Sequence, residues 1–139
     1  PFLVRYPRRF PKGATVDALV LNLDLAPTYL DLAGLPAAPG MHGASVARLA
    51  SGETPADWRT SFLAYYRKEL GDTPTCHGVR TADAKLIVYP HKPEWTEVYD
   101  LASDPYELNN LAGDAALRAR LEAELSERMK AVGFPAPSP

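Results

Sequence analysis

The sequence is poor in cysteine, since Cys76 is the only one among 139 residues. A single thiol excludes a disulfide within the chain, and it cannot form a thiolate metal site by itself. Cysteine content therefore does not distinguish a reducing from an oxidising compartment.

Concentrated charge and long apolar runs are also missing. The net charge is -2 and the basic residues are scattered, so a nucleic-acid partner is disfavoured. No stretch approaches the roughly 18 apolar residues that a membrane-spanning helix needs, and we expect no membrane span. The chain does not begin with methionine or a signal peptide and opens on an apolar run, as a segment of a larger protein would. The localisation stays unknown.

The sequence does have the apolar content of a folded domain, with 46% hydrophobic and 23% charged residues. In its first part we predict strands at 2–6 and 18–21 and a helix at 24–33. Asn22 or Asp24 is the expected N-cap of this helix, and Gly34 is its stop. One or two helical turns should then begin at Ser45 and end at Gly52.

The second part predicts a small sheet and a terminal helix. Segments 61–66, 76–81 and 85–89 and the stretch TEVYDL have strand-like composition, and their short connections favour antiparallel pairing. After Asp114, a natural N-cap, apolar residues recur every three or four positions up to the expected stop at Gly133. The apolar positions are Leu117, Leu121, Leu125, Met129 and Val132. The fold class should be α+β, with three or four antiparallel strands packed by the C-terminal helix.

The stretch EVYDLASDPYELNNLAG, residues 97–113, has two interpretations. Asp104 followed by Pro105 favours a turn, and Asn109 and Asn110 tolerate left-handed backbone. The alternative is a metal or acid–base site built from Asp100, Asp104 and Glu107. Because the spacing of a calcium loop is absent, we interpret the stretch as a turn.

Several motifs, taken in order, closely resemble the C-terminal third of type I sulfatases. They are D-x-x-P-T-x-x-x-x-A-G, G-x-S-x-x-x-x-x-x-G, V-R-T-x-x-x-K and Y-D-L-x-x-D-P-x-E-x-x-N-L. The matching positions are Asp24, Pro27, Thr28, Ala33 and Gly34; Gly43, Ser45 and Gly52; Val79, Arg80, Thr81 and Lys85; and Tyr99, Asp100, Leu101, Asp104, Pro105, Glu107, Asn110 and Leu111.

The resemblance implies a sulfuric ester hydrolase of the alkaline-phosphatase-like superfamily. Residues 1–50 would be the last strand and helix of a large α/β domain, and residues 51–139 a C-terminal subdomain. The family's formylglycine, made within a C-x-P-x-R signature, and its calcium would lie upstream. We therefore expect no catalytic residue, metal or cofactor in this segment, and we expect the segment alone to be inactive. Its partners would be the upstream catalytic domain and, in the whole enzyme, a sulfate-ester substrate.

Cys76 precedes Arg80 by four positions, as in that signature, but Gly78 occupies the place of the proline, so we interpret Cys76 as a strand residue. Arg67, Lys68 and His77 are candidate contacts to the non-sulfate part of a substrate, since the small subdomain of such enzymes often leans over the active-site mouth. A solvated loop with His77 packed in its strand is the simpler alternative.

Three further positions have structural interpretations. Arg80 and Lys85 are expected to pair with acids such as Asp100 or Glu107, and Thr28 to pack or cap. Two other functions stay open: a segment of a phosphonate monoester hydrolase or phosphodiesterase of the same superfamily, and a free-standing module that binds a partner or associates with itself. Exposed strand edge and apolar surface should make an isolated segment oligomerise.

Overall fold

The computed structural model describes residues 2–67 and 74–134 of the chain. It divides the chain into two compact units, Pro1–Arg59 and Thr60–Pro139. This division falls nine residues after the predicted boundary at 50/51. That the first unit belongs to a large α/β domain stays a prediction.

The first unit has little regular secondary structure. A 3-10 turn at Asn22–Asp24 leads into helix α1 (Leu25–Leu32), and a second 3-10 turn spans Val46–Leu49. The Ser45 side chain accepts a hydrogen bond from the backbone N–H of Ala47, and Gly34 follows α1 with a positive φ of 74°. The predicted helix and the Ser45 cap are therefore confirmed.

The predicted strands at 2–6 and 18–21 are wrong, because neither segment forms a strand within the described residues. Apolar and aromatic residues favour strands only where a neighbouring strand completes the backbone ladder and a packed face buries the side chains. Residues 2–6 are exposed, and Leu3 keeps 92% of its surface accessible. Composition alone therefore misled the prediction.

The second unit contains the predicted antiparallel sheet. Its strands are β1 (Ser61–Tyr66), β2 (Cys76–Thr81), β3 (Ala84–Val88) and β4 (Glu97–Asp100), hydrogen-bonded in that order. The turn between β2 and β3 is closed by Thr81, whose hydroxyl accepts from the backbone N–H of Ala84 and donates to Asp83. The predicted α+β class is confirmed.

Helix α2 (Ala115–Ala131) covers one face of this sheet. The Asp114 carboxylate accepts from the N–H groups of Ala116 and Leu117, and Gly133 follows with a φ of 63°, as predicted. The predicted apolar stripe packs against the strands, except that Val132 is half exposed because it lies beyond the last helical turn. The core consists of Val79, Ala84, Leu86, Val98, Leu121, Leu125 and Met129.

No helix in residues 2–67 and 74–134 is both long enough and apolar enough to cross a membrane.

Candidate functional site

His77 lies within β2, where its backbone pairs with Tyr65 of β1 and Val88 of β3. Side chains alternate along a strand, so His77 shares the face of Val79 and points toward α2. The side chain is only 5% exposed, and this burial lowers the pKa of the imidazole below its ordinary value. At neutral pH His77 is therefore an uncharged ring with one N–H donor and one acceptor.

A cleft of about 370 Å³ opens beside His77 and is called the His77 cleft below. Its apolar lining consists of Val88, Leu125, Met129 and Phe134. Its polar lining consists of His77, Glu122, Ser126 and Lys130. The Phe134 ring closes one side, with its centroid 4.7 Å from that of Tyr65 and 6.3 Å from that of His77. An apolar cleft with a few convergent polar groups is the usual form of a small-molecule site.

Arg67 follows β1 directly and is exposed to solvent. It lies two residues beyond Tyr65, the strand partner of His77, so both candidates lie at the same end of the β1–β2 ladder. Lys68, the third candidate, lies outside the described residues. A joint role of these three residues in binding a substrate stays a prediction.

Cys76 is a strand residue, as expected, and lies partly buried on the opposite face of β2. Burial and the nearby charge of Glu97 both raise the pKa of its thiol, which disfavours a reactive thiolate. Gly78 is required by the fold, because a Cβ there would lie 2.1 Å from the backbone oxygen of Leu86. The Cys76–Arg80 segment is thus an ordinary strand in which close packing selects the glycine.

A tyrosine–glutamate–tyrosine cluster on the face of Cys76 was missed by the sequence interpretation. Glu97 accepts hydrogen bonds of 2.7 Å from the hydroxyls of both Tyr89 and Tyr99. These hydrogen bonds, together with burial, raise the pKa of each tyrosine to about 12. The alternation of Glu97 and Tyr99 along β4 was the available signal, but the position of Tyr89 depends on strand register.

The stretch at 97–113 consists of strand β4 followed by the predicted turn. The Asp104 carboxylate accepts from the backbone N–H of Asn109, and the Asn110 side chain accepts from the N–H groups of Val98 and Ala112. The left-handed residue is Glu107, with a φ of 57°, and not Asn109 or Asn110. The sequence predicted only that Asn109 and Asn110 tolerate this conformation, and no local signal pointed to Glu107.

Those partners are the predicted ones. The Lys85 ammonium lies 2.6 Å from Glu107, and Arg80 lies 3.9 Å from the same carboxylate. Lys85 and Arg80 are register partners on neighbouring strands, so their side chains converge on one acid. Their interpretation as structural cations is confirmed.

The side chains in the described part of the chain do not fit a metal centre. Within 2–67 and 74–134, no group of three or more histidine, cysteine, aspartate or glutamate side chains could hold a metal ion. The acids of the turn are engaged instead, Asp100 with Ala102 and Ser103 and Glu107 with Lys85.

Asp24 forms the centre of the first unit, although the sequence interpretation assigned it only as a helix cap. Its side chain is completely buried and forms a double hydrogen bond with Arg59, at 2.5 and 2.6 Å. It also accepts from the backbone N–H groups of Leu21 and Ala44. Burial alone raises the pKa of Asp24, but the hydrogen bonds from Arg59 and the backbone outweigh it, and the pKa lies below its ordinary value.

The same network connects two of the sequence motifs. The Thr28 hydroxyl donates to the backbone oxygen of Asp24 and accepts from the N–H of Val46, which confirms its capping role. The Ser45 hydroxyl donates to Asp31. Gly43 lies so close to Leu23 that a Cβ there would come within 2.1 Å of the backbone oxygen. The segment with the D-x-x-P-T motif therefore packs directly against the segment with the G-x-S motif, and hydrogen bonds join the two.

The chain is similar in sequence to sulfatases over nearly its whole length. The family described as N-sulphoglucosamine sulphohydrolase, C-terminal, matches residues 1–133. An N-acetylglucosamine-6-O-sulfatase from Bacteroides thetaiotaomicron is 38% identical over 94% of this chain and 24% of its own length. The chain therefore spans about a quarter of that curated relative.

Two solved structures are informative. One is a protein in complex with its substrate D-glucosamine-2-N,6-O-disulfate, with a TM-score of 0.86, 34% identity and coverage of 96% of this chain and 28% of that one. The other is a phosphonate monoester hydrolase from Silicibacter pomeroyi, with a TM-score of 0.57, 26% identity and coverage of 78% and 24%. The likeness to the phosphonate hydrolase is the more distant.

Proposed function

The chain belongs to the family of N-sulphoglucosamine sulphohydrolase C-terminal domains, and from this premise we propose that it works as the C-terminal domain of a sulfatase whose catalytic centre lies upstream. The observation that carries the proposal is the likeness, over nearly the whole chain, to a protein solved with a sulfated glucosamine. The second unit would supply architecture and contacts to the substrate. The chemistry of sulfate-ester hydrolysis would belong to the catalytic domain.

The proposed substrate class is a glucosamine that carries a 6-O-sulfate. The relative from Bacteroides thetaiotaomicron is named for N-acetylglucosamine 6-O-sulfate. The disulfate in the similar structure also bears a 6-O-sulfate. These names belong to the relatives, and they indicate the first compounds to test on this protein.

Within this chain, Arg67, Lys68 and His77 would contact the part of the substrate that does not react. Arg67 offers an exposed cation after β1, and His77 offers a neutral N–H donor. Donors of these two kinds suit hydroxyl and anionic groups of a sugar. They would affect substrate selection rather than the cleavage step.

The proposed partner is the upstream domain of the same protein. Phe2, Leu3, Val4 and Tyr6 all expose apolar surface, as residues that another domain covers would do. The resemblance to type I sulfatases implies a calcium ion and a formylglycine, and both would belong to that domain. The 139-residue chain alone should be inactive and should self-associate.

The test uses the longest open reading frame that contains this chain. Purified protein should release sulfate from glucosamine 6-sulfate, whereas the 139-residue chain should release none. A frame that contains no catalytic domain, or activity in the short chain alone, would overturn the proposal. A short frame whose product is a stable monomer would instead favour the free-standing binding module.

Substrate contacts are tested in the same protein. His77→Ala and Arg67→Met should each lower kcat/KM by about two- to tenfold, through KM, as expected for loss of one hydrogen bond or ion pair. His91→Ala, which changes an exposed histidine, is the control. Unchanged KM in both variants would remove these residues from the substrate site.

Phosphonate monoester hydrolysis is the second candidate, favoured by the similar structure from Silicibacter pomeroyi. A phenylphosphonate monoester offered beside glucosamine 6-sulfate distinguishes the two functions. The sulfatase proposal expects the higher kcat/KM with the sulfate ester.

A further inference from the structure

The His77 cleft has the composition of a small-ligand site, and it includes His77, one of the three residues proposed above to contact the substrate. Its apolar part is made by β3, α2 and the residue Phe134 that follows the helix. Its volume of about 370 Å³ suits one small ring or a short chain. At its wall lies His77, a polar side chain that is 95% buried, since its exposed fraction is 5%.

The two charged residues that line the cleft differ in whether an ion pair neutralises them. Glu122 and Lys130 are eight residues apart on α2, which separates them by about 12 Å along the helix axis. Glu122 is neutralised by Arg118, at 2.8 Å. Lys130 forms no ion pair with any other described residue. The end of the cleft near Lys130 therefore carries an uncompensated positive charge.

The C-terminal carbonyls of α2 next to this charge are largely capped. A helix C-terminus is normally negative because its last carbonyl groups lack partners. Here the backbone N–H groups of Val132, Gly133 and Phe134 donate to the carbonyl groups of Arg128, Lys130 and Met129, respectively. An anion beside Lys130 would consequently meet capped carbonyls.

We propose that the His77 cleft binds a small monoanion with an apolar body, such as an aromatic or aliphatic carboxylate. The body packs against Val88, Leu125 and Met129, and the anionic group lies toward Lys130 within reach of the His77 N–H. Charge complementarity selects an anion over a neutral molecule of the same shape. The Ser126 hydroxyl, on the rim, supplies a further donor.

The test measures ligand-observed fluorine NMR with 4-fluorobenzoate and the uncharged 4-fluorobenzamide, on the longest natural protein that contains this chain. Benzoate should bind about two- to fivefold more tightly than benzamide, the range expected of one solvent-exposed ion pair. Equal affinities would overturn the assignment of an anion.

Two pairs of variants locate the binding. Lys130→Met keeps the length of the side chain but should bring the two affinities together, whereas Lys92→Met, which changes a lysine outside the cleft, should preserve the difference. Ser126→Trp fills the cleft from an exposed position and should abolish binding of both probes, whereas Ser126→Ala should retain it. Circular dichroism checks that the variants are folded. Binding that survives Ser126→Trp, or a preference for benzoate that survives Lys130→Met, would overturn the proposed site.

Discussion

The two units of the chain are stabilised by different means. In the second unit, four strands pair along continuous ladders and α2 covers one face, so backbone groups are satisfied locally and the core is apolar. In the first unit, an eight-residue helix lies among irregular segments, and a buried carboxylate occupies the centre. The difference shows that side chains must supply hydrogen bonds wherever irregular backbone is buried.

Asp24 supplies these hydrogen bonds in the first unit. Its two oxygens bind the backbone N–H groups of Leu21 and Ala44 as well as the Arg59 guanidinium. Arg59 in turn donates to the backbone oxygen of Leu19, which also accepts from the Trp58 indole. The unit therefore depends on a polar centre in the way that the second unit depends on leucine and valine.

Removing that polar centre should have the largest effect. Asp24→Ala leaves the Arg59 side chain, which is 15% exposed, without its buried partner, and loss of one member of a buried ion pair costs about 3–5 kcal/mol. Denaturant unfolding followed by Trp58 fluorescence, in a Trp95→Phe background, measures the change. Asp57→Ala removes an exposed pair with Arg48 and is the control. Equal midpoints for the two variants would refute the central role of Asp24.

Truncation of the apolar core should have a similar but somewhat smaller effect. Leu121 on α2 is completely buried against the sheet, and Leu121→Ala should lower the free energy of unfolding by about 2–5 kcal/mol. Thermal unfolding measured by circular dichroism reports this loss. Leu108→Ala is the matched control because Leu108 is 79% exposed. A loss below that of the control would mean that α2 contributes little to the second unit.

The turn at 97–113 tests the same principle at a smaller scale. The Asn110 side chain accepts from the N–H groups of Val98 and Ala112 and donates to the backbone oxygen of Thr96. Asn110→Ala should cost about 1–3 kcal/mol, because the N–H of buried Val98 loses its partner. Chemical denaturation measures the cost, and Asn109→Ala, in the exposed part of the turn, should cost less. The reverse order would contradict this assignment.

The smallest expected effect is the pH dependence that His77 confers on the second unit. Because burial lowers the pKa of His77 in the folded state, the unfolded state binds more protons as the pH falls below the ordinary value of 6.5. Stability should therefore decrease between pH 7.5 and pH 5.5, and His77→Gln should reduce this decrease. The depressed pKa of Asp24 acts with the same sign but in a lower pH range, since its stabilisation is lost only as the pH falls near and below 3.8. Denaturation midpoints at both pH values measure the difference, with His91→Gln as control; an unchanged pH dependence in His77→Gln would exclude His77 as its source.

Prediction from sequence succeeded where local signals agree with the final environment. The spacing of apolar residues along α2, its N-cap at Asp114 and the turn at Asp104-Pro105 each depend on residues close together in the sequence. All three are found in the structure. The pairing of Lys85 with Glu107 was also predicted, although the residues are 22 positions apart. That prediction was possible because Lys85 and Glu107 both match positions of the family motifs, and Glu107 was one of the two acids named as partners.

The candidate site was only partly accessible to such reasoning. His77 was named, but its burial and the cleft beside it depend on α2 and Phe134, which lie far along the chain. Arg59 carried no local signal for pairing with Asp24, 35 residues earlier. The strands expected at 2–6 and 18–21 failed because strand propensity requires a neighbouring strand that no local pattern specifies.

The sequence by itself determined the α+β class, an antiparallel sheet of three or four strands, helices near 24–33 and after Asp114, and the family motifs, because these depend on residues within a few positions of one another. Only the tertiary structure decided that Asp24 is a buried centre, that Glu97 holds two tyrosines and that His77 faces an apolar cleft. Burial, desolvation and long-range hydrogen bonds arise when distant segments pack together.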